Sequence, residues 1–185
     1  MMKLEYKNNV QKTVLTGVMA AILAALSLVS IPLPSGVPVT LQTFAVALCG
    51  FLLGPAMGTA AVAVYLIMGA VGLPVLAGMV GGLGHFLGVT GGFLWGFLPM
   101  ALLCGLGAWA GKKLLVIPLS LAGLAACHLL GLAQFTVVAA MPVWQAFMVA
   151  SAPYLIKDVI SVILAYFGAL AVATALKKAG LGGAA

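Results

Sequence analysis

Lys157 and Asp158 stand side by side in a stretch that is otherwise apolar, and Asp158 is one of only two acidic residues in the 185-residue chain. The other, Glu5, lies near the start. A carboxylate without a task at the centre of a membrane-crossing helix costs about 2.5–3.5 kcal/mol. Ionisable groups at such depth are satisfied by each other, by water or by a ligand. Tyr154, Lys157, Asp158 and Ser161 follow at steps of three, one and three, so a helix carries them as one surface patch. The patch joins a carboxylate acceptor, an ammonium, two hydroxyls and an aromatic ring, a set suited to holding a small polar ligand. The alternative reading is an internal pair, Asp158 with Lys157 or His128, that serves structure alone. Paired carboxylates, a Ser-His-Asp set and metal-ligand spacing are all missing from the sequence, so the chain is not read as an enzyme.

A second candidate is the glycine-rich run from Gly78 to Gly92. No strand pattern precedes it and no Gly-Lys-Ser/Thr closes it, so it is not a phosphate loop. Gly111-Lys112 is likewise a near miss, because Leu106 occupies the place of the first glycine in that motif. The run reads as a loop whose backbone approaches a small ligand or a neighbouring helix closely. His85 is its one titratable group and reads either as a hydrogen-bonded loop residue or as a ligand contact. Cys49, Cys104 and Cys127 are odd in number, sit inside apolar runs and read as small buried hydrophobes.

The elements that must position these residues are membrane helices. The chain is 65% apolar and 5% charged, with a mean hydropathy of +1.31. So few charges cannot cover the surface of a soluble domain of this length. Apolar runs and their breakers place six spans, at about 12–31, 40–54, 56–73, 93–110, 114–138 and 153–176, in a single transmembrane domain over 1–185. The second is short enough to need local thinning of the bilayer, and Gly54-Pro55 separates it from the third. The first run, Val14 to Ile31, exceeds a signal-peptide core and reads as a retained helix.

The eight basic residues are all lysine and give a net charge of +6. Lys3, Lys7 and Lys12 precede the first span, Lys112 and Lys113 lie between the fourth and fifth, and Lys177 and Lys178 follow the sixth. Six spans put all three clusters on one side, which places both termini in the cytoplasm. The charge is topology information, and nucleic-acid binding is not expected. The outer connections, 31–40, 74–92 and 139–153, hold six of the nine prolines, whereas the inner ones at 54–56 and 111–113 are minimal. Elaborate loops on one face suggest an outward-facing site on a helical scaffold. Asp158 would lie roughly 8 Å below Pro153 at 1.5 Å per residue. Further inward, Ser161, Ala165, Gly168, Ala171 and Ala175 form a small-residue stripe for close helix packing. On the first span, Gly17, Ala21 and Ala25 recur every four residues with Ala20 and Ala24 alongside, a face for packing within the chain or against a partner.

Several of these segments together resemble the BioY family, the biotin-binding S components of energy-coupling factor (ECF) transporters. They are Pro32-Leu-Pro34, Val37-Pro-Val-Thr-Leu-Gln-Thr-Phe44, Leu52-Leu-Gly-Pro55, Gly69-Ala-Val-Gly-Leu-Pro-Val75, Thr90-Gly-Gly-Phe-Leu-Trp-Gly-Phe97 and Pro153-Tyr-Leu-Ile-Lys-Asp158. The likeness runs in order from about residue 13 to 176. It implies a six-helix, all-α membrane fold of the S-component type in the cytoplasmic membrane, with an outward-facing biotin site. It also implies partners, a transmembrane T component and two ABC-type ATPases that supply the ATP hydrolysis. Gly17, Ala20, Ala21, Ala24 and Ala25 match the family's motif for contact with the T component. Two positions depart from the pattern. Lys157 precedes Asp158, where the family places a lysine three residues after the aspartate and this chain has Ser161. Val89 stands where proline is usual before Thr90-Gly-Gly.

Biotin's chemistry is complementary to the candidates. Its ureido ring offers two N–H donors and a carbonyl, to be met by Asp158 and by Gln42 or Thr43. Its sulfur ring and alkyl tail ask for walls such as Tyr154 and Phe93. Its carboxylate asks for Lys157 or for backbone N–H groups of the loop that runs through His85 to Thr90, Gly91 and Gly92. Biotin enters as substrate and no cofactor is expected. The rival expectation is a self-sufficient secondary transporter of biotin or a related vitamin. That reading calls for midplane ionisable residues and an inverted repeat, and neither is evident.

Overall fold

The computed structural model describes residues 8–31 and 37–179. Lys3 and Lys7 of the first lysine cluster, and Pro32 and Pro34 of the first outer connection, lie outside the described residues. The described chain is mostly helical, and five helices are long and apolar enough to cross a membrane.

Helix α1 spans Asn9–Ser27 and starts where the Asn8 side chain accepts a hydrogen bond from the Gln11 backbone N–H at 2.8 Å. Such a cap satisfies one of the donors a helix start leaves unpaired. The helix stops four residues short of its expected end, where Ser30–Ile31 pairs antiparallel with Val39–Thr40 as strands β1 and β2. The β-branched Val29, Ile31 and Val39 favour that pairing.

Helix α2 covers Gln42–Ala70 and is two helical limbs meeting at Gly54, whose φ of 82° lies in the left-handed region. Pro55 follows and cannot donate into the preceding turn. The limbs fold back on each other. A straight helix would hold Gln42 and Tyr65 about 35 Å apart, yet the Gln42 amide donates to the Tyr65 hydroxyl at 2.7 Å. At the same junction, a Cβ on Gly58 would collide with the Cys49 carbonyl, so a glycine there lets the limbs touch. The break expected at Gly54-Pro55 is therefore a hairpin.

Next come a short α3 (Leu83–Leu87), α4 (Gly91–Trp109), a 3-10 turn (Lys113–Leu115), α5 (Val116–Val138), α6 (Val143–Ala150) and α7 (Ala152–Lys178). Helix α6 occupies what the sequence predicted as the loop 139–153. Ala146 and Ala150, one turn apart, are buried against Tyr154 and Phe135. Helices α1, α4 and α7 surround α2, α5 lies against α4, and α6 bridges α5 and α7. The main core runs through α1, α2, α4, α5 and α7 and is built largely of apolar and small residues. Cys49, Cys104 and Cys127 are free and buried, as expected. On α7 the buried line follows Ser161, Ala165, Ala169 and Ala173. The expected stripe thus turns away after Ala165, and Ala171 and Ala175 face outward. Large side chains such as Ile67, Leu129, Ile156 and Phe167 are exposed, as lipid-facing positions are.

Candidate functional site

Helix α7 begins at Ala152 with Pro153 in its first turn, where a missing N–H costs nothing. Tyr154 and Asp158, one turn apart, turn into the protein, while Ile156 between them faces outward. Asp158 is only 6% exposed. Its Oδ2 lies 3.2 Å from His128 Nε2 on α5, and its Oδ1 is ion-paired with the Lys157 ammonium. The buried carboxylate is thus met by an imidazole and an ammonium, the pairing that makes a charge tolerable at such depth. The other imidazole nitrogen, Nδ1, is buried with no hydrogen-bond partner among the described residues.

The same turn of α7 holds the segment that leads into and forms strand β2. Lys157 Nζ donates to the Thr40 carbonyl at 3.1 Å, and the Tyr154 hydroxyl donates to the Val37 carbonyl. From β2 the chain enters α2 through a fixed amide. Thr40 Oγ1 donates to Gln42 Oε1 at 3.2 Å, and Gln42 Nε2 donates to the Tyr65 hydroxyl. Opposite, Gln134 on α5 donates from Nε2 to the carbonyls of Phe86 and Gly88, at 2.8 and 2.7 Å. One carboxamide therefore pins the glycine-rich segment to a membrane helix. Ser30 Oγ completes the frame by accepting from the Gly78 N–H at 3.2 Å.

These elements enclose a cavity of about 450 Å³, within the size range of small-molecule sites. Its polar lining includes Thr40, Gln42, Thr43, His128, Tyr154, Lys157 and Asp158. Its apolar lining includes Leu76, Val80, Phe93, Leu94, Phe97 and Leu124, and His85 and Thr90 also line it. Phe93 meets the His128 ring edge-to-face with centroids 5.8 Å apart, so apolar and polar lining meet at the imidazole.

Eight of the residues singled out in the sequence therefore line one cavity: Asp158, Lys157, Tyr154, Gln42, Thr43, Thr90, Phe93 and His85. Three lie off its wall. Ser161 is buried one turn deeper on α7. Gly91 packs under Phe86 and Gln134, and Gly92 packs on the Leu130 backbone, so both serve the close approach of α4 and α5. On α1 the five small residues divide. Gly17, Ala21 and Ala25 are exposed, Ala20 is buried, and Ala24 packs against the core. Sequence reasoning considered His128 only as a structural partner of Asp158, and it did not select Thr40, Phe97 or Leu124. Two spacings carried a signal for them. Phe93 and Phe97 are one helical turn apart, as are Leu124 and His128.

A family model described as the BioY family matches residues 1–178. A protein named biotin transporter BioY from Rhodobacter capsulatus is 38% identical over 168 residues, covering 81% of this chain and 86% of that protein. A probable biotin transporter BioY from Pyrococcus horikoshii is 38% identical over 127 residues, covering 67% and 73%. A crystal structure described as the S-component for biotin from an ECF-type ABC transporter superposes with a TM-score of 0.78 at 27% identity, covering 94% of this chain and 95% of that one. Sequence and fold agree along nearly the whole length, and the chain is a member of the BioY family.

Proposed function

We propose that this protein takes up biotin as the substrate-binding S component of an ECF-type transporter, capturing the vitamin on the outer face of the cell membrane. The observation that carries the reading is the convergence of Asp158, Lys157, Gln42, Thr43 and Tyr154 with an apolar wall on one cavity of about 450 Å³. Biotin has the matching halves. Asp158 accepts from the ureido N–H groups, and Thr43 and Gln42 face the ureido carbonyl. Phe93, Phe97 and Leu124 cover the sulfur ring and the alkyl tail. The tail carboxylate turns toward the rim, where His85 and Thr90 lie.

We read the α2 hairpin as two crossings, for six spans in all, and the positive-inside rule applied to Lys112, Lys113, Lys177 and Lys178 supports cytoplasmic termini. The exposed Gly17, Ala21 and Ala25 on α1 offer a shallow face for a transmembrane T component, and two ATPases bound to that partner supply the energy.

Equilibrium binding of labelled biotin to the purified protein in detergent tests the reading. Saturable binding at nanomolar to low micromolar biotin is the expected result. Well-folded protein that fails to bind biotin would overturn it.

A further inference from the structure

At the far end of the bundle from the biotin cavity lies a second, smaller cavity of about 280 Å³. Gly107 and Ala108 at the end of α4, Gly111, Lys112 and Lys113 in the connection, Val116 on α5, and Tyr166 and Leu170 on α7 line it. Leu170 stands seventeen residues after Pro153, about 25 Å along the helix. With a hydrocarbon core of about 30 Å, the groove sits at the opposite membrane boundary, where lipid headgroups lie.

We propose that this groove binds the phosphodiester headgroup of an anionic phospholipid. Charge is the first argument. Lys112 and Lys113 are both exposed. Asp158 is the only carboxylate side chain among the described residues; it is held by Lys157 and His128 and lies eight residues up α7 from Tyr166, roughly 12 Å away. Two adjacent ammonium groups at the groove therefore have no counter-ion among the described residues, and a monoanionic phosphodiester supplies one. Basic pockets between membrane helices on the cytoplasmic side are suited to such headgroups.

Shape is the second argument. The floor is made of glycine and alanine, which leaves room for phosphate and glycerol between helices. Tyr166 forms one wall with its ring held edge-on between Phe51 and Phe167, and tyrosine suits a boundary where one end is apolar and the other wet. Beside the lysines, Leu114 is 90% exposed and Ile117 70% exposed. An acyl chain hanging from the headgroup covers such residues, whereas free phosphate does not. The occupant is therefore a lipid.

Native mass spectrometry of the full chain, purified in mild detergent with added phosphatidylglycerol or phosphatidylcholine of equal acyl length, tests the site. Phosphatidylglycerol should be retained preferentially, and Lys112→Gln/Lys113→Gln should weaken its retention roughly tenfold. Lys177→Gln/Lys178→Gln removes the same charge outside the groove and should leave retention within about twofold. Lys112→Arg/Lys113→Arg should preserve it, and biotin binding, read in parallel, should be unchanged in every variant. Equal retention of both lipids, equal loss in the Lys177/Lys178 variant, or displacement of the lipid by millimolar inorganic phosphate would each overturn the proposal. So would loss of assembly with the T component while lipid retention stays at the wild-type level, because the groove would then seat a protein.

Discussion

Replacing Asp158 by asparagine separates a ligand contact from a structural ion pair when it is read beside Lys157→Met/Asp158→Asn. Asparagine keeps the size of the side chain and an acceptor for His128 Nε2, but it removes the charge that faces Lys157. Removing one partner of a buried pair costs about 3–5 kcal/mol when the other is left dry. The Lys157 side chain is 30% exposed, so its ammonium still reaches water, and the loss of stability should be only about 1–2 kcal/mol. The double substitution removes both charges and should recover part of that loss, although the Thr40 carbonyl then lacks its lysine donor. Binding should behave differently. A charge-assisted hydrogen bond to the ureido group contributes about 1.5–3 kcal/mol, so Asp158→Asn should raise the biotin Kd about 10- to 150-fold. The double variant should bind no better. Both quantities come from the same purified protein, stability by thermal unfolding in detergent and affinity by equilibrium binding of labelled biotin. Recovery of wild-type affinity within twofold in the double variant would refute the reasoning, because the carboxylate would then serve only to neutralise Lys157.

Three other perturbations test the frame around the site. Gly54→Ala forces a side chain into a left-handed backbone and against the Trp109 ring; it should cost about 2–4 kcal/mol, visible as a lower unfolding temperature. Gln134→Leu leaves the Phe86 and Gly88 carbonyls without their donor; about 1–3 kcal/mol should be lost locally. Hydrogen exchange should then speed up over residues 83–90 while α5 stays protected, and biotin should dissociate faster. Ala21→Trp adds bulk to an exposed position on α1, so stability should change by less than about 0.5 kcal/mol. Biotin binding should be unaffected, whereas co-purification with the T component and ATPases should fail; retained assembly would remove this face from the partner interface.

The membrane helices were legible because their signals are local. Apolar runs and the Gly54-Pro55 break placed them within a few residues. The ends were less legible where a competing local structure won. Ser30 and Ile31 end the first apolar run, but they pair with Thr40 and Val39 across a sequence gap that no periodicity crosses. Helix α6 was hidden because Pro142 and Pro153 frame it as a turn, although Pro142 in fact caps its start. The site was half legible for a related reason. Asp158 and Lys157 stand out as charges in an apolar chain, so type alone marks them. His128 is one of two histidines and lies thirty residues from Asp158. Only the packing of α5 beside α7 shows that it serves the same carboxylate.

The bonds already made around the cavity rank the polar groups for the ligand. Tyr154 and Lys157 both spend donors on hairpin carbonyls, those of Val37 and Thr40. A ligand that drew the Lys157 ammonium away would have to replace the Thr40 bond and the Asp158 pair together. Asp158 is held by the side chains of His128, Lys157 and Thr43. A carboxylate has about four lone-pair sites and accepts further N–H donors without releasing those it has. In the proposed pose the ureido N–H groups add to the cluster at Asp158, and Lys157, with two of its three N–H donors engaged, has one left to offer a carboxylate. The proposed pose keeps the tail at the rim beside His85 and Thr90, with Lys157 bound to the Thr40 carbonyl and to Asp158. In that pose the lysine that precedes the aspartate in this chain acts as a clamp on strand β2, and its loss should raise the rate of biotin release more than it slows capture.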